Sequence, residues 1–343
     1  MLAMALHRLG SIEANQQPLV ETELPDPVPR QGEVVVRVSA CGVCHTDLDI
    51  IEGRTPPPVL PVVLGHQIVG RVERLGDGVT APTIGSRVGV AWINTACGSC
   101  AWCLRGLENL CPWFSATGRD SPGGYAPRLA VRADFTHPIA ERLSDVLAAP
   151  LLCAGAIGYR SLTLTGIRNG DSLGLAGSGA SGHLVLKLVR KRFPDTAVYV
   201  FARREAERQF ALSLGASWAG DVGVAPPRPL RAIIDTTPVW RPLVEALAAL
   251  EPGGRLVVNA IRKEDHDRDA LLGLDWTRHL WMEKEIKSVA NVTRRDVREF
   301  LALAAELELE PEVERFALGD VNRALVELKQ GSIRGAKVVV MNP

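Results

Sequence analysis

Ser172-Leu173-Gly174-Leu175-Ala176-Gly177-Ser178-Gly179-Ala180-Ser181-Gly182 sets a Gly-x-Gly-x-x-Gly between an apolar run that reads as a strand and a helical stretch through Leu184 to Arg192. Gly177, Gly179 and Gly182 permit a tight turn and close approach of the backbone to a pyrophosphate, whose charge a helix N-terminus favours. A flexible Gly-Ser turn is the plainer reading of the same letters. A phosphate loop of the NTPase type is excluded, because it needs Lys and then Ser or Thr after the last glycine. His183 and Leu184 stand there instead.

Outward from this turn, strands and helices alternate between Gly155 and about Ala290. Strands are expected at Ala197-Val198-Tyr199-Val200-Phe201, Ala232-Ile233-Ile234-Asp235 and Arg255-Leu256-Val257-Val258-Asn259, with a helix from Glu205 to Leu214. Such alternation implies a parallel sheet covered by helices. An acidic residue about twenty positions past the glycines would hold the 2′-hydroxyl of NAD. Phe201-Ala202-Arg203-Arg204 occupies that place, and Arg203 and Arg204 can pair with a 2′-phosphate. NADP(H) is therefore favoured and NAD(H) is the alternative, with the two arginines then a solvated helix start.

Residues 1 to about 150 have a different texture: short apolar runs at Glu33–Val38, Val62–His66, Gly70–Gly76 and Arg87–Trp92, punctuated by Gly and Pro. These read as strands of a barrel-like or sandwich domain. The tail offers a helix over 293–306 and a closing strand, Lys337-Val338-Val339-Val340, expected to return to the first domain. The 343 residues suit two domains rather than one core. Zero formal net charge gives no nucleic-acid footprint or anionic-membrane surface, and no apolar stretch spans a bilayer. The N-terminus lacks a charged n-region, so a cytoplasmic location is expected.

Seven cysteines are present, four of them at Cys97, Cys100, Cys103 and Cys111. In an unsecreted chain that spacing reads as metal binding, and four thiolates on one loop suit a closed, structural Zn²⁺ site. An iron–sulfur cluster is the alternative ligand use. Earlier lies Cys41-Gly42-Val43-Cys44-His45-Thr46-Asp47-Leu48-Asp49, then Gly65-His66-Gln67 and, much later, Cys153. Two thiolates and an imidazole from separate segments make a catalytic Cys₂His zinc site, with a fourth position for water or substrate. Thr46, Asp47 and Asp49 supply a hydroxyl and carboxylates for moving protons. Cys153 alone reads as a small buried hydrophobe, as does Cys41. His7, His137, His183, His266 and His279 have no evident partner, and Lys263-Glu264-Asp265-His266-Asp267-Arg268 reads as solvated loop.

Taken in order, Cys44-His45-Thr46-Asp47, Gly65-His66, the four-cysteine knot, Cys153 and the glycine turn resemble the zinc-containing alcohol dehydrogenases of the medium-chain dehydrogenase/reductase superfamily. The resemblance covers essentially the whole chain and is nearest to bacterial, tetrameric members. It implies an α/β architecture: a GroES-like β-rich catalytic domain (1–153), a Rossmann domain (154–291) and a C-terminal return (292–343). It further implies a catalytic zinc on Cys44, His66 and Cys153, besides the structural one on the knot. Thr46 would pass the substrate proton, Asp47 would orient His66, and His45 would contact the cofactor pyrophosphate. Trp92 resembles a wall of the substrate pocket, with a core aromatic as the alternative.

Three positions depart from the pattern. Gln67 replaces a glutamate beside the metal, Asp49 replaces the distal histidine of the proton relay while still able to accept a proton, and Ala336 replaces a base that holds the pyrophosphate. Arg334 or Lys337 could stand in for that base. The implied activity is interconversion of small alcohols with aldehydes or ketones by a homo-oligomer, dimer or tetramer. The alternatives are a nucleotide-sensing scaffold without catalysis, or a reductase of conjugated C=C or C=N bonds.

Overall fold

The computed structural model describes residues 1–331 and 334–341. The chain divides into two compact units, Met1–Ala156 with Asn291–Pro343, and Ile157–Ala290.

The first unit is built on the strand Glu33–Val43. One side pairs antiparallel with Gln67–Leu75; the other pairs with Arg128–Arg132 and, further along, with Ala336–Val340. The sequence suggested that this strand ends at Val38 and gives way to a Cys-Gly loop. It runs on to Val43 instead, because the returning C-terminal strand pairs Val340 with Ala40 and Lys337 with Val43. Gly42 allows the crowding: a Cβ there would stand 3.0 Å from Gln67. Arg87–Val90, Thr136–Pro138 and Val313–Ala317 complete this sheet, and Leu19–Glu23, Leu2–Leu6 and Val62–Val63 form a second one. Leu6, Ile12, Leu48, Ile68, Tyr125 and Leu129 share one apolar core. Each such side chain contributes roughly 1.5–3 kcal/mol by leaving water.

Lys337 is not available to hold a pyrophosphate. It is 3% exposed, and its Nζ donates to Glu314 Oε2 at 2.7 Å and Glu327 Oε2 at 2.5 Å. Arg334 is exposed.

The second unit is a six-stranded, wholly parallel sheet in the order Trp218–Gly220, Ala197–Phe201, Ser172–Ala176, Leu230–Asp235, Leu250–Val258, Glu285–Ser288. The chain enters in the middle at Ser172–Ala176, winds outward one way, then returns past its starting strand and winds the other way. The reversal lies between Ser172–Ala176 and Leu230–Asp235, the crevice where open parallel sheets take their ligands. Its helices include Ala180–Arg192, Glu205–Ser213 and Arg241–Ala249, and most of Ala154–Thr165. The sequence reading missed Trp218–Gly220 and Glu285–Ser288. One has three residues and the other is exposed throughout, so neither carries a burial pattern.

The charged run 263–268 is not simply solvated. The Lys263 side chain is 6% exposed and pairs with the fully buried Asp235 at 2.5 Å, while Asp267 accepts the backbone N–H groups of Trp240 and Arg241 at 2.9 Å. Among the described residues no single helix is long and apolar enough to cross a membrane.

His137, on the strand Thr136–Pro138, is 2% exposed. Burial, with Arg298 and Arg294 adding repulsion, drives its imidazole down to about 3. Below the unfolded value near 6.5, the unfolded chain takes up a proton that the folded chain refuses. Stability therefore falls as pH drops through about 6.5, and the loss levels off near 3. In denaturant titrations, the wild type should lose about 3 kcal/mol more than His137→Phe on going from about pH 7 to pH 4. Equal losses in the two proteins would mean that the ring titrates freely in the fold.

Candidate functional site

Cys44 ends the long strand and caps the helix His45–Ile51. His66 lies between Val62–Val63 and Gln67–Leu75, and Cys153 follows the short 3₁₀ turn Ala149–Leu152. Gly65 makes the turn that aims His66 inward: its φ is +93°, and a Cβ there would meet Cys41 Sγ at 2.7 Å. Cys44 Sγ, Cys153 Sγ and a ring nitrogen of His66 then lie within 4.8 Å of one another. His66 is fully buried, and neither ring nitrogen has a hydrogen-bond partner among the described residues. A buried imidazole in that state calls for a further ligand. Two soft sulfurs and this nitrogen are the donor set Zn²⁺ takes. The residues fit the ion.

The electrostatics favour the ligating form of Cys44. The Cys153 thiol hydrogen-bonds to it and His66 stands beside it, which together hold Cys44 well below the usual thiol range. Burial alone would lower His66, but the Asp47 carboxylate and Cys44 outweigh it and raise the imidazole to about 10. Asp47 itself is fully buried. Its Oδ2 accepts the Cys44 N–H at 2.9 Å and the Tyr125 O–H at 2.8 Å, and its Oδ1 lies 3.5 Å from His66 Nδ1. Tyr125 escaped the sequence reading. Gly123-Gly124-Tyr125 pairs its backbone N–H groups with the carbonyls of Val63, Gly65 and Leu64, which brings the phenol under the site. The only local signal is the paired glycine before an aromatic residue.

The remaining expected residues scatter in informative ways. Thr46 is buried, with its Oγ1 3.7 Å from Cys44 Sγ. Trp92 packs edge-on against His66, ring centroids 5.0 Å apart. Gln67 is 2% exposed, and its Oε1 has no hydrogen-bond partner among the described residues. Asp49 differs from expectation in one respect. Its Oδ1 accepts Arg54 Nε at 2.5 Å. His45 is exposed at the first position of its helix. Cys41 is fully buried, as a small hydrophobe should be.

The four knot sulfurs also lie within 4.8 Å of one another. Cys97 Sγ is 3.6 Å from Cys111 Sγ and 3.9 Å from Cys103 Sγ. A tetrahedron with Zn–S bonds of about 2.3 Å has edges of about 3.8 Å, so the spacing suits the ion. Backbone N–H groups of Ser99 and Cys100 lower Cys97 to about 6.

In the second unit the glycine turn has the shape expected of a dinucleotide cradle. Gly177 has φ +96°, and a Cβ on Gly182 would sit 2.3 Å from Gly177 O. A Cβ on Gly179 would meet nothing within 4 Å, so that face lies open to a ligand. The helix Ala180–Arg192 starts directly after it. His183 is buried, its Nδ1 3.2 Å from Gly179 O. Arg203 and Arg204 stand exposed just past the strand Ala197–Phe201. A cleft beside the strand ends is lined by Ala176, Phe201, Val222, Pro226, Ala246 and Arg278.

Comparison with known proteins gives a consistent picture. Residues 30–141 match the alcohol dehydrogenase GroES-like domain. The probable alcohol dehydrogenase AdhA of Mycobacterium tuberculosis is 40% identical over 346 residues, covering 99% of this chain and 97% of that protein. An alcohol dehydrogenase of Geobacillus stearothermophilus is 31% identical over 328 residues, covering 92% and 94%. Among solved structures, a cinnamyl alcohol dehydrogenase of Sorghum bicolor superposes with TM-score 0.87 at 28% identity, covering 99% of this chain and 97% of that one.

The Tyr125 hydroxyl fixes Asp47, which in turn faces His66, so its removal should be felt at the metal. Tyr125→Phe should weaken zinc retention against a chelator by about tenfold or more and also lower the thermal midpoint, since a buried carboxylate loses a donor. Unchanged zinc retention would show that the Cys44 N–H alone suffices to hold Asp47.

Proposed function

The chain belongs to the zinc-containing alcohol dehydrogenases of the medium-chain dehydrogenase/reductase superfamily, and from that premise we propose that it interconverts alcohols with aldehydes or ketones. We favour NADP(H) over NAD(H) as the hydride carrier and assign two zinc ions per chain, one to Cys44, His66 and Cys153 and one to the knot. The observation that carries the reading is the convergence of two thiols and a buried, unpartnered imidazole from three distant segments.

A bound Zn²⁺ supplies Lewis acidity to a substrate oxygen, and a nicotinamide accepts or returns the hydride. The chain's own residues do the rest. Cys44, His66 and Cys153 fix where the oxygen is held, and Asp47 keeps the His66 ring turned to its task. Thr46, buried beside Cys44, is placed to take the hydroxyl proton in oxidation and return it in reduction. A proton passed on to Asp49 competes with Arg54 for that carboxylate. Trp92, edge-on to His66, supplies an apolar wall that keeps water off the reacting carbon. Gly177, Gly179 and Gly182 take the pyrophosphate, Arg203 and Arg204 a 2′-phosphate, and His45 a further cofactor contact. The named relatives favour this reading over a nucleotide sensor or a C=C or C=N reductase.

We place the protein in the cytoplasm, where clustered thiolates stay reduced for metal. We also propose that it works as a homo-oligomer, since the edge strand Glu285–Ser288 is exposed along its length and flanked by exposed Trp276, Trp281 and Met282. Light scattering should read at least two chains; the mass of a single chain would refute this.

The main test is an NADPH and NADH absorbance assay with primary and secondary alcohols and short aldehydes. Cys44→Ser should abolish turnover and lose one zinc while remaining folded. Cys100→Ser should lose the other zinc and lower the thermal midpoint. Full activity in Cys44→Ser would overturn the metal assignment, and higher efficiency with NADH would overturn the cofactor preference.

A further inference from the structure

Two segments leave the C-terminal ends of neighbouring parallel strands in the second unit. One follows Leu230–Asp235 and leads into the helix Arg241–Ala249; the other follows Leu250–Val258. They are stitched together from end to end. Lys263 Nζ donates to Asp235 Oδ2 at 2.5 Å, to Thr237 O at 2.8 Å and to Val239 O at 3.0 Å. All three ammonium protons are thereby used. Glu264 N–H donates to Pro238 O at 2.6 Å, and Asp267 Oδ2 accepts the N–H groups of Trp240 and Arg241, each at 2.9 Å. Asp235 Oδ1 accepts both the N–H and the O–H of Thr237, at 2.9 and 2.7 Å.

The stitched turn abuts the glycine cradle. Thr236 N–H and Oγ1–H both donate to Ala176 O, at 3.0 and 2.9 Å, and Ala176 directly precedes Gly177. The fit is close: a Cβ on Gly177 would lie 2.4 Å from Thr236 Oγ1. Two of the three Lys263 acceptors are carbonyls of this turn, so the ammonium sets its path. The turn lies where the strand order reverses, at the strand ends that receive a dinucleotide.

We propose that Lys263 is a positioning residue for the dinucleotide: by clasping Asp235, Thr237 and Val239 it pre-builds the wall beside Gly177. This rests on the reading that a nicotinamide dinucleotide occupies the glycine cradle. Binding then orders no loop, and the affinity is not spent on fixing one. Without Lys263 the Asp235 carboxylate stays buried with no counter-ion, which forces the turn to rearrange. An ion pair that served stability alone would need no carbonyls from the turn. Its loss would lower the melting point and leave dinucleotide affinity unchanged.

The test uses full-length, zinc-loaded protein and direct fluorescence titration with NADPH and with NADH. Thermal midpoint and zinc content are measured alongside. Lys263→Met should weaken dinucleotide binding about tenfold and raise its KM equally, with kcat at saturation within about twofold and zinc content unchanged. Lys263→Arg, which keeps the charge, should recover most of the affinity. The double variant Lys263→Met, Asp235→Asn removes the stranded charge, so it should regain stability yet still bind weakly; it carries the test if the single variant fails to fold. Wild-type affinity in either folded Met-containing variant would overturn the proposal while leaving the cradle reading intact. A wild type that binds neither dinucleotide would overturn the cradle reading, and this inference with it.

Discussion

Asp47 lies fully buried in the first turn of a seven-residue helix, and its carboxylate gathers the Cys44 N–H, the Tyr125 hydroxyl and the His66 ring around itself. A buried carboxylate left without donors costs several kcal/mol. The fold meets that cost at Oδ2 with the Cys44 N–H and the Tyr125 hydroxyl, and sets the His66 ring beside Oδ1. Each of the three groups comes from a different part of the first unit: the end of the long strand, the turn beyond Val62–Val63, and the Gly123-Gly124-Tyr125 segment. The surroundings of one carboxylate thus set the relative placement of two of the three candidate metal ligands, Cys44 and His66. The site is determined by polar satisfaction inside an apolar core, since Ile68, Leu64 and Leu48 around it are themselves fully or nearly fully buried.

The second unit solves a different problem with backbone geometry. A parallel sheet that reverses direction leaves a crevice at its strand ends, and the cradle there must let backbone come within reach of phosphate. Gly177 and Gly182 are required because side chains would collide with the Thr236 hydroxyl and the Gly177 carbonyl. A polar seam between 235–241 and 263–267 joins the two loops beside the cradle. These loops are joined by hydrogen bonds, while the sheet and helices behind them pack an apolar core that includes Phe201, Ile233, Leu247 and Leu256.

Legibility in the sequence tracked the distance between partners. The knot cysteines span fifteen positions on one loop, so spacing alone picked out a cluster whose four sulfurs lie within 4.8 Å of one another. The glycine turn was equally plain, because its strand, turn and helix are contiguous, and the strands Ser172–Ala176 and Ala197–Phe201 have the bounds their apolar runs suggested. Tyr125 was invisible, since its partner Asp47 lies 78 positions away. Lys263 was misread for the same reason: it sits in a run of charges whose composition says solvent, while its carboxylate lies 28 positions earlier at a strand end. The strand to Val43 was cut short at Val38 because half of its pairing comes from a segment almost three hundred residues later, Ala336–Val340. Local pattern reports local partners.

Charge accounting explains why the two cysteine sites differ in their surroundings. With Zn²⁺ bound, four thiolates leave the knot at a net charge of −2, which is costly to bury. The knot accordingly keeps Cys97 exposed and directs the N–H groups of Cys100 and Cys103 at sulfur, at 3.3 and 3.5 Å. Two thiolates and a neutral imidazole bring the other site to zero, a charge that a buried interior tolerates. A carboxylate at position 67 would have tipped that balance; Gln67 keeps it neutral. The Asp47 carboxylate faces this site: its Oδ2 accepts the Cys44 N–H and the Tyr125 hydroxyl, and its Oδ1 lies 3.5 Å from His66 Nδ1. A closed, anionic set would suit a structural ion in the knot, and the neutral set of Cys44, His66 and Cys153, with a position left open, would suit a zinc that supplies Lewis acidity to a substrate oxygen.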